Sequence, residues 1–182
     1  MNDSFDYNKL PIHPTLEPVR KLFEFFILGI GFVGQFDFQK VFLEAHPDLT
    51  GLVQKYNKEV NLRKEGKSVK SETGPYWILI GRVMAISLFN ILEFSEYNND
   101  VNREDIYKFA KHLRNGAAHN NRFNISPPIT NPVQWRDKKI DNSLNNTVVF
   151  TDFISPVSLI ILASDISQLI YQSENRRKAL SI

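Results

Sequence analysis

The chain has 182 residues, enough for one domain with a full hydrophobic core, and its 42% apolar and 12% aromatic content is that of a globular protein rather than a disordered one. It has no cysteine, which excludes disulfides, thiolate nucleophiles and cysteine-based zinc or iron–sulfur sites and leaves chemistry to oxygen and nitrogen groups, among them four histidines, His13, His46, His112 and His119. Lys plus Arg total 22 against 20 for Asp plus Glu, too even a balance for nucleic-acid binding through bulk charge but compatible with a local basic face.

The first residues, MNDSFDYNKLPIHP, are polar and acidic and lack the basic and apolar regions of a signal peptide, so a cytoplasmic protein is expected, with residues 1–14 as an extended tail. Thr15 is placed to cap a first helix with Glu17 and Pro18 in its first turn, and Leu22, Phe23, Phe26, Ile27 and Ile30 then recur at helical spacing. A second helix is predicted over Phe36 to Ala45, ending before Pro47, and a third over Leu52, Val53, Tyr56, Val60 and Leu62, followed by a Lys/Gly/Ser-rich connection from Arg63 to Gly74.

The fourth helix, from Pro75, includes the most apolar stretch, Tyr76 to Leu92. Arg82 near its middle and Glu93 at its end favour a helix buried in a bundle over a membrane span. Arg82 then needs a partner: a carboxylate such as Glu104 or Asp105, or a group at the site itself. The fifth helix is expected behind Asn102 as N-cap, with Glu104 and Asp105 favourably placed against the helix dipole.

From Phe123 the pattern changes. SPPITNP is turn chemistry, and Val133 to Ile140 and Thr147 to Phe150, separated by DNSLNN, are predicted to pair as a hairpin within an irregular insertion over residues 123–154. Ser155 and Pro156 open a last helix, with Leu159, Ile160, Leu162, Ala163, Ile166, Leu169 and Ile170 facing the core and a frayed end over 173–182. The whole reads as a single all-α domain over 1–182, a bundle of about six helices.

Gly29-Ile30-Gly31-Phe32-Val33-Gly34 matches G-x-G-x-x-G, but it ends an apolar run of helical period and no βαβ pattern follows. A dinucleotide site needs a strand before that loop, so these glycines are expected to thin or end a helix instead.

The informative stretch is Lys111 to Arg122, KHLRNGAAHNNR. At 100° per residue from Ile106, the apolar Phe109, Ala110, Leu113 and Ala117 fall within about 60° of it and form the buried stripe. If the helix persists, His112, Asn115, His119 and Arg122 share the opposite face with Arg114 at its border, while Gly116 and its neighbouring alanines let a phosphate or another backbone approach. Imidazole transfers protons near neutral pH and Arg neutralises phosphoryl oxygens with a bidentate fork. Such groups suit RNA cleavage with no metal and no cofactor: a base takes the ribose 2′-OH proton, that oxygen attacks phosphorus, and an acid protonates the departing 5′ oxygen.

Arg114-Asn115-Gly116-Ala117-Ala118-His119 resembles the R-N-x-x-x-H form of the R-x(4–6)-H signature of the HEPN superfamily, and Asn120-Asn121-Arg122 is similar to the neighbourhood of that motif in abortive-infection-like and plasmid-borne HEPN proteins. The resemblance implies a helical bundle that homodimerises with the motif at the interface. Arg and His of two protomers then form one metal-independent endoribonuclease site, often serving a toxin or antiviral defence effector. Carried onto this chain, His119 moves the proton, Arg114 stabilises phosphoryl charge and Asn115 orients the substrate or its partner residue. Arg122, His112 and Lys111 are the expected substrate contacts, RNA and a second copy of the chain the expected partners, and an antitoxin protein a further one. The alternative is a HEPN-like module without catalysis that binds RNA or protein. Some HEPN toxins carry a Tyr two residues after the His that is the target of modification; Asn121 stands there, which puts such regulation in doubt.

Basic charge gathers around the motif: Arg103 to Lys139 holds eight basic and three acidic residues, and Lys55 to Lys70 six against two, whereas the first 54 residues are net acidic by three. Trp135 is read as packing against Phe150 in preference to stacking an RNA base. His13 and His46, each before a proline, receive no role.

Overall fold

The computed structural model describes residues 9–33 and 74–180 together with positions 54, 58, 61, 62, 65 and 66, and within 9–33 and 74–180 five α-helices and a short hairpin make up the main regular structure. The helices are α1 (Glu17–Val33), α2 (Gly74–Glu93), the single turn α3 (Asn98–Val101), α4 (Asp105–Ala118) and α5 (Pro156–Leu180). Strands β1 (Val133–Trp135) and β2 (Lys138–Ile140) pair antiparallel, Val133 opposite Ile140 and Trp135 opposite Lys138. The described chain is all-α apart from this hairpin. Among the described residues no helix is long and apolar enough to cross a membrane.

The apolar residues of α2 are spread around its circumference, which suits a central position, and α1, α4 and α5 all pack on it. Met84, Leu88, Phe89 and Leu92 of α2 join Phe109, Leu113 and Ala117 of α4 and Leu159, Ile160, Ala163 and Ile166 of α5 in one buried core. Segment 147–154 crosses the α2 and α4 pair where two glycines admit it. A Cβ at Gly81 would lie 2.5 Å from the Phe150 ring, and one at Gly116 the same distance from Val149 Cγ2. Gly116 therefore receives this chain's own Val149, not the phosphate or foreign backbone that the sequence suggests.

Several expected boundaries shift. Thr15 does not cap α1; Pro14–Leu16 forms a 3₁₀ turn whose N-cap is His13, with Nδ1 accepting from Thr15 N at 3.2 Å. Asn102 closes α3, and Glu104 stands at the N-cap of α4. The expected pairing of 133–140 with 147–150 does not occur, because a reversal at Arg136, with φ 53°, folds 133–140 on itself; 147–150 instead touches Arg122 and Ile154 through isolated bridges. The predicted second helix lies outside the described residues, and of the third only positions 54, 58, 61 and 62 are described, all helical. Gly29 and Gly31 lie within α1, and among the described residues no strand precedes them.

The ends are held more firmly than their composition suggests. His13 is buried, its N–H donating to Ser167 Oγ at 2.8 Å and its Nε2 lying 3.3 Å from Glu174 Oε1, while Ser164 Oγ donates to Pro11 O. Residues 11–13 are thus a strap on α5. Beyond residue 173, α5 continues as helix to Leu180, and Ser173 Oγ donates to Asp100 Oδ2 at 2.6 Å, Arg177 pairs with the same carboxylate, and Tyr97 OH donates to Glu174 Oε1 at 2.7 Å.

Candidate functional site

The apolar stripe of α4 is buried as its spacing predicts, and its polar face is turned outward. That face does not run on to Arg122. Helix α4 ends at Ala118, where the His119 N–H still reaches Asn115 O at 3.0 Å but His119 itself has ψ 63°. Asn120 and Asn121 follow in the left-handed region, with φ 54° and 61°, conformations that asparagine tolerates better than other side chains. The break separates residues that an unbroken helix would have aligned. His119 is an exposed C-cap, while Arg122 is directed to Asn146 O at 2.6 Å and bridges to Val148.

Two neighbours stabilise this helix end. Arg82 Nε donates to Ala117 O at 2.6 Å, so the arginine in the apolar helix answers a C-terminal carbonyl of α4 and not Glu104 or Asp105. Asn121, only 7% exposed, uses its side-chain amide as a strand would use its backbone: Nδ2 donates to Phe150 O at 3.1 Å and Oδ1 accepts from Phe150 N at 2.9 Å. Its own carbonyl accepts from Val149 N at 3.0 Å.

Ahead of the break, the polar face of α4 forms one wall of an open trough of about 680 Å³. Asp105, Lys108, Lys111, His112 and Asn115 come from the helix, and Asn124, Ser126, Pro127, Pro128, Ile129, Thr130, Asn131, Pro132 and Val133 form the facing wall. That second wall was legible only as turn chemistry. What fixes it lies in the segment read as a spacer: Asn142 accepts from Ile129 N at 2.8 Å and donates to Ile129 O at 3.0 Å, and Asn145 Oδ1 accepts from Ile125 N at 3.0 Å.

Of the six candidate residues, Lys111, His112 and Asn115 line the trough. Arg114 adjoins it through Asn115, donating from Nη1 to Asn115 Oδ1 at 3.1 Å while its guanidinium lies 5.8 Å from the Phe89 ring centre. His119 and Arg122 lie outside the lining. Burial, and secondarily the charge of Lys111, lowers the His112 imidazole from the ordinary histidine value and so favours its neutral form. Asp105 and Lys108 neutralise one another at 2.9 Å.

Trp135 is buried against Phe109, ring centres 5.4 Å apart, and donates to Asp165 Oδ2 at 2.9 Å; Phe109 and Asp165 hold it, in place of the expected Phe150. Arg136 forks onto the same Asp165 carboxylate at 2.9 and 3.0 Å, which pins the hairpin to α5. No protein-family model, no curated protein and no solved structure matches this chain.

Proposed function

We propose that the chain is a HEPN-like, homodimeric, metal-independent endoribonuclease acting in the cytoplasm as a toxin or antiviral effector. The observation that carries this reading is the end of α4. There Arg114 and Asn115 are joined side chain to side chain, His119 is exposed at the cap four residues on, and a trough bearing Lys111 and an imidazole biased towards its neutral form adjoins them.

In the proposed reaction one imidazole takes the ribose 2′-OH proton, the O2′–P bond forms, the P–O5′ bond breaks, and a second, protonated imidazole delivers its proton to the departing 5′ oxygen. Two copies of His119 across a two-fold axis supply that acid and base pair, and Arg114 neutralises charge on the phosphoryl oxygens. An exposed helix end is a suitable place for such a shared site, because two protomers can approach it without rearranging the core.

The resting place of Arg114 favours a second reading. Stacked on Phe89 and tied to Asn115, its guanidinium has a role in packing, which suits a HEPN-like module that binds RNA or protein without cutting it. Incubation of the purified chain with RNA in EDTA separates the two readings. Cleavage that persists in EDTA and is lost in both His119→Ala and Arg114→Ala supports the nuclease; RNA binding with no cleavage supports the module.

A further inference from the structure

The trough beside α4 has two chemically different walls. Pro127, Pro128 and Ile129 present an apolar surface on one side, and Lys111, His112 and Asn115 present donors on the other. Because Arg114 donates to the Asn115 carbonyl oxygen, the Asn115 amide NH2 is the part of that side chain left to donate to a ligand. Lys108 is occupied by Asp105, whereas among the described residues Lys111 pairs with no carboxylate. Among the described residues the helix wall therefore offers one uncompensated cation.

We propose that this trough is a subsite for one unpaired nucleotide of an RNA strand, with its base against the Pro127, Pro128 and Ile129 wall and its phosphate on Lys111, flanked by His112 and Asn115. The assignment deepens the ribonuclease reading and rests on it for the identity of the strand. Three features select an unpaired nucleotide. A volume of about 680 Å³ is that of a small-molecule pocket and is too small to enclose a double helix. The apolar wall has use only for an exposed base face, which duplex RNA does not present. A single free cation suits one phosphate, where a duplex-binding surface needs a row of them.

The test is fluorescence anisotropy of the full chain with a labelled eight-residue pyrimidine strand, 2′-O-methylated so that it cannot be cleaved through its 2′ oxygens. Lys111→Ala is expected to weaken binding about fivefold to tenfold at low salt and to reduce the slope of log affinity against log salt by about 0.7, the signature of one lost single-strand phosphate contact. Pro128→Asp, at an exposed position, is expected to weaken binding at least as much, whereas Lys21→Ala on α1 leaves it unchanged. A duplex of the same strand is expected not to compete. Binding by Lys111→Ala indistinguishable from that of Lys21→Ala, equal competition by the duplex, or no binding by the parent overturns the proposal. The two readings fail separately. Cleavage of unmodified RNA by a protein whose binding ignores Lys111 leaves the nuclease standing without this subsite; Lys111-dependent binding by a protein that cuts no RNA leaves the subsite standing without the nuclease.

Discussion

Asn121→Ala is the substitution whose consequence follows most directly from the geometry. The asparagine amide is the hydrogen-bond partner of both the N–H and the C=O of Phe150, a residue with no solvent exposure. Truncation strands both groups, at about 1–3 kcal/mol each. It also places alanine at φ 61°, which costs about 1 kcal/mol more. The total, centred on about 5 kcal/mol, corresponds to a fall in melting temperature of roughly 10–20 °C for a chain of this size. Asn121→Gly, which keeps the left-handed backbone but loses the amide, should recover about 1 kcal/mol of that loss. Asn121→Asp should not recover it, since a carboxylate offers no donor to the Phe150 carbonyl. Urea and thermal unfolding followed by circular dichroism measure all three. If Asn121→Ala unfolds within about 1 kcal/mol of the parent, the pairing with Phe150 does not hold the helix end as described.

Other outcomes follow from neighbouring contacts. Gly116→Ala should destabilise by about 1–2 kcal/mol, overpacking against Val149 outweighing the gain in helix propensity, and Val149→Ala should cost less in that background than in the parent when unfolding curves of the double-mutant cycle are compared. Arg82→Gln should cost about 1–2 kcal/mol through loss of the cation at the Ala117 carbonyl, read by the same unfolding curves. Because the folded chain protonates His112 less readily than the unfolded chain, the stability that this residue contributes is present above the ordinary histidine range and lost as pH falls below it. His112→Gln should therefore flatten the decline in stability between about pH 7 and pH 5. The proposed shared site requires a dimer, so sedimentation velocity should give a species of twice 21.1 kDa; a strict monomer at assay concentrations counts against a site built from two copies of His119.

What the sequence made legible was governed by period and composition. The stripe Ile106, Phe109, Ala110, Leu113 and Ala117 placed the buried face of α4, and Ser155 with Pro156 located the start of α5, where Ser155 Oγ accepts from Ser158 N at 3.2 Å. What remained hidden depended on partners distant in the chain. The C-terminal end of α4 and the 124–133 wall are held by Asn121, Asn142 and Asn145, whose pairing with backbone groups 13 to 29 residues away leaves no local periodic signal. His13 carries no sequence signal of its role, because the following proline indicates only an extended backbone, whereas its burial comes from α5, more than 150 positions on. The candidate site was half legible for the same reason. Lys111, His112 and Asn115 lie within the helix and obey its spacing, while His119 and Arg122 follow a break made by two left-handed asparagines, which an extrapolated helix cannot register.

The end groups of RNA incubated with the purified chain in EDTA test the central claim most directly. The account predicts fragments ending in 2′,3′-cyclic phosphate and 5′-hydroxyl, formed by the parent and reduced at least a hundredfold in His119→Ala. Fragments with 3′-hydroxyl and 5′-phosphate ends, cleavage that survives His119→Ala, or intact RNA after prolonged incubation at micromolar protein would contradict it.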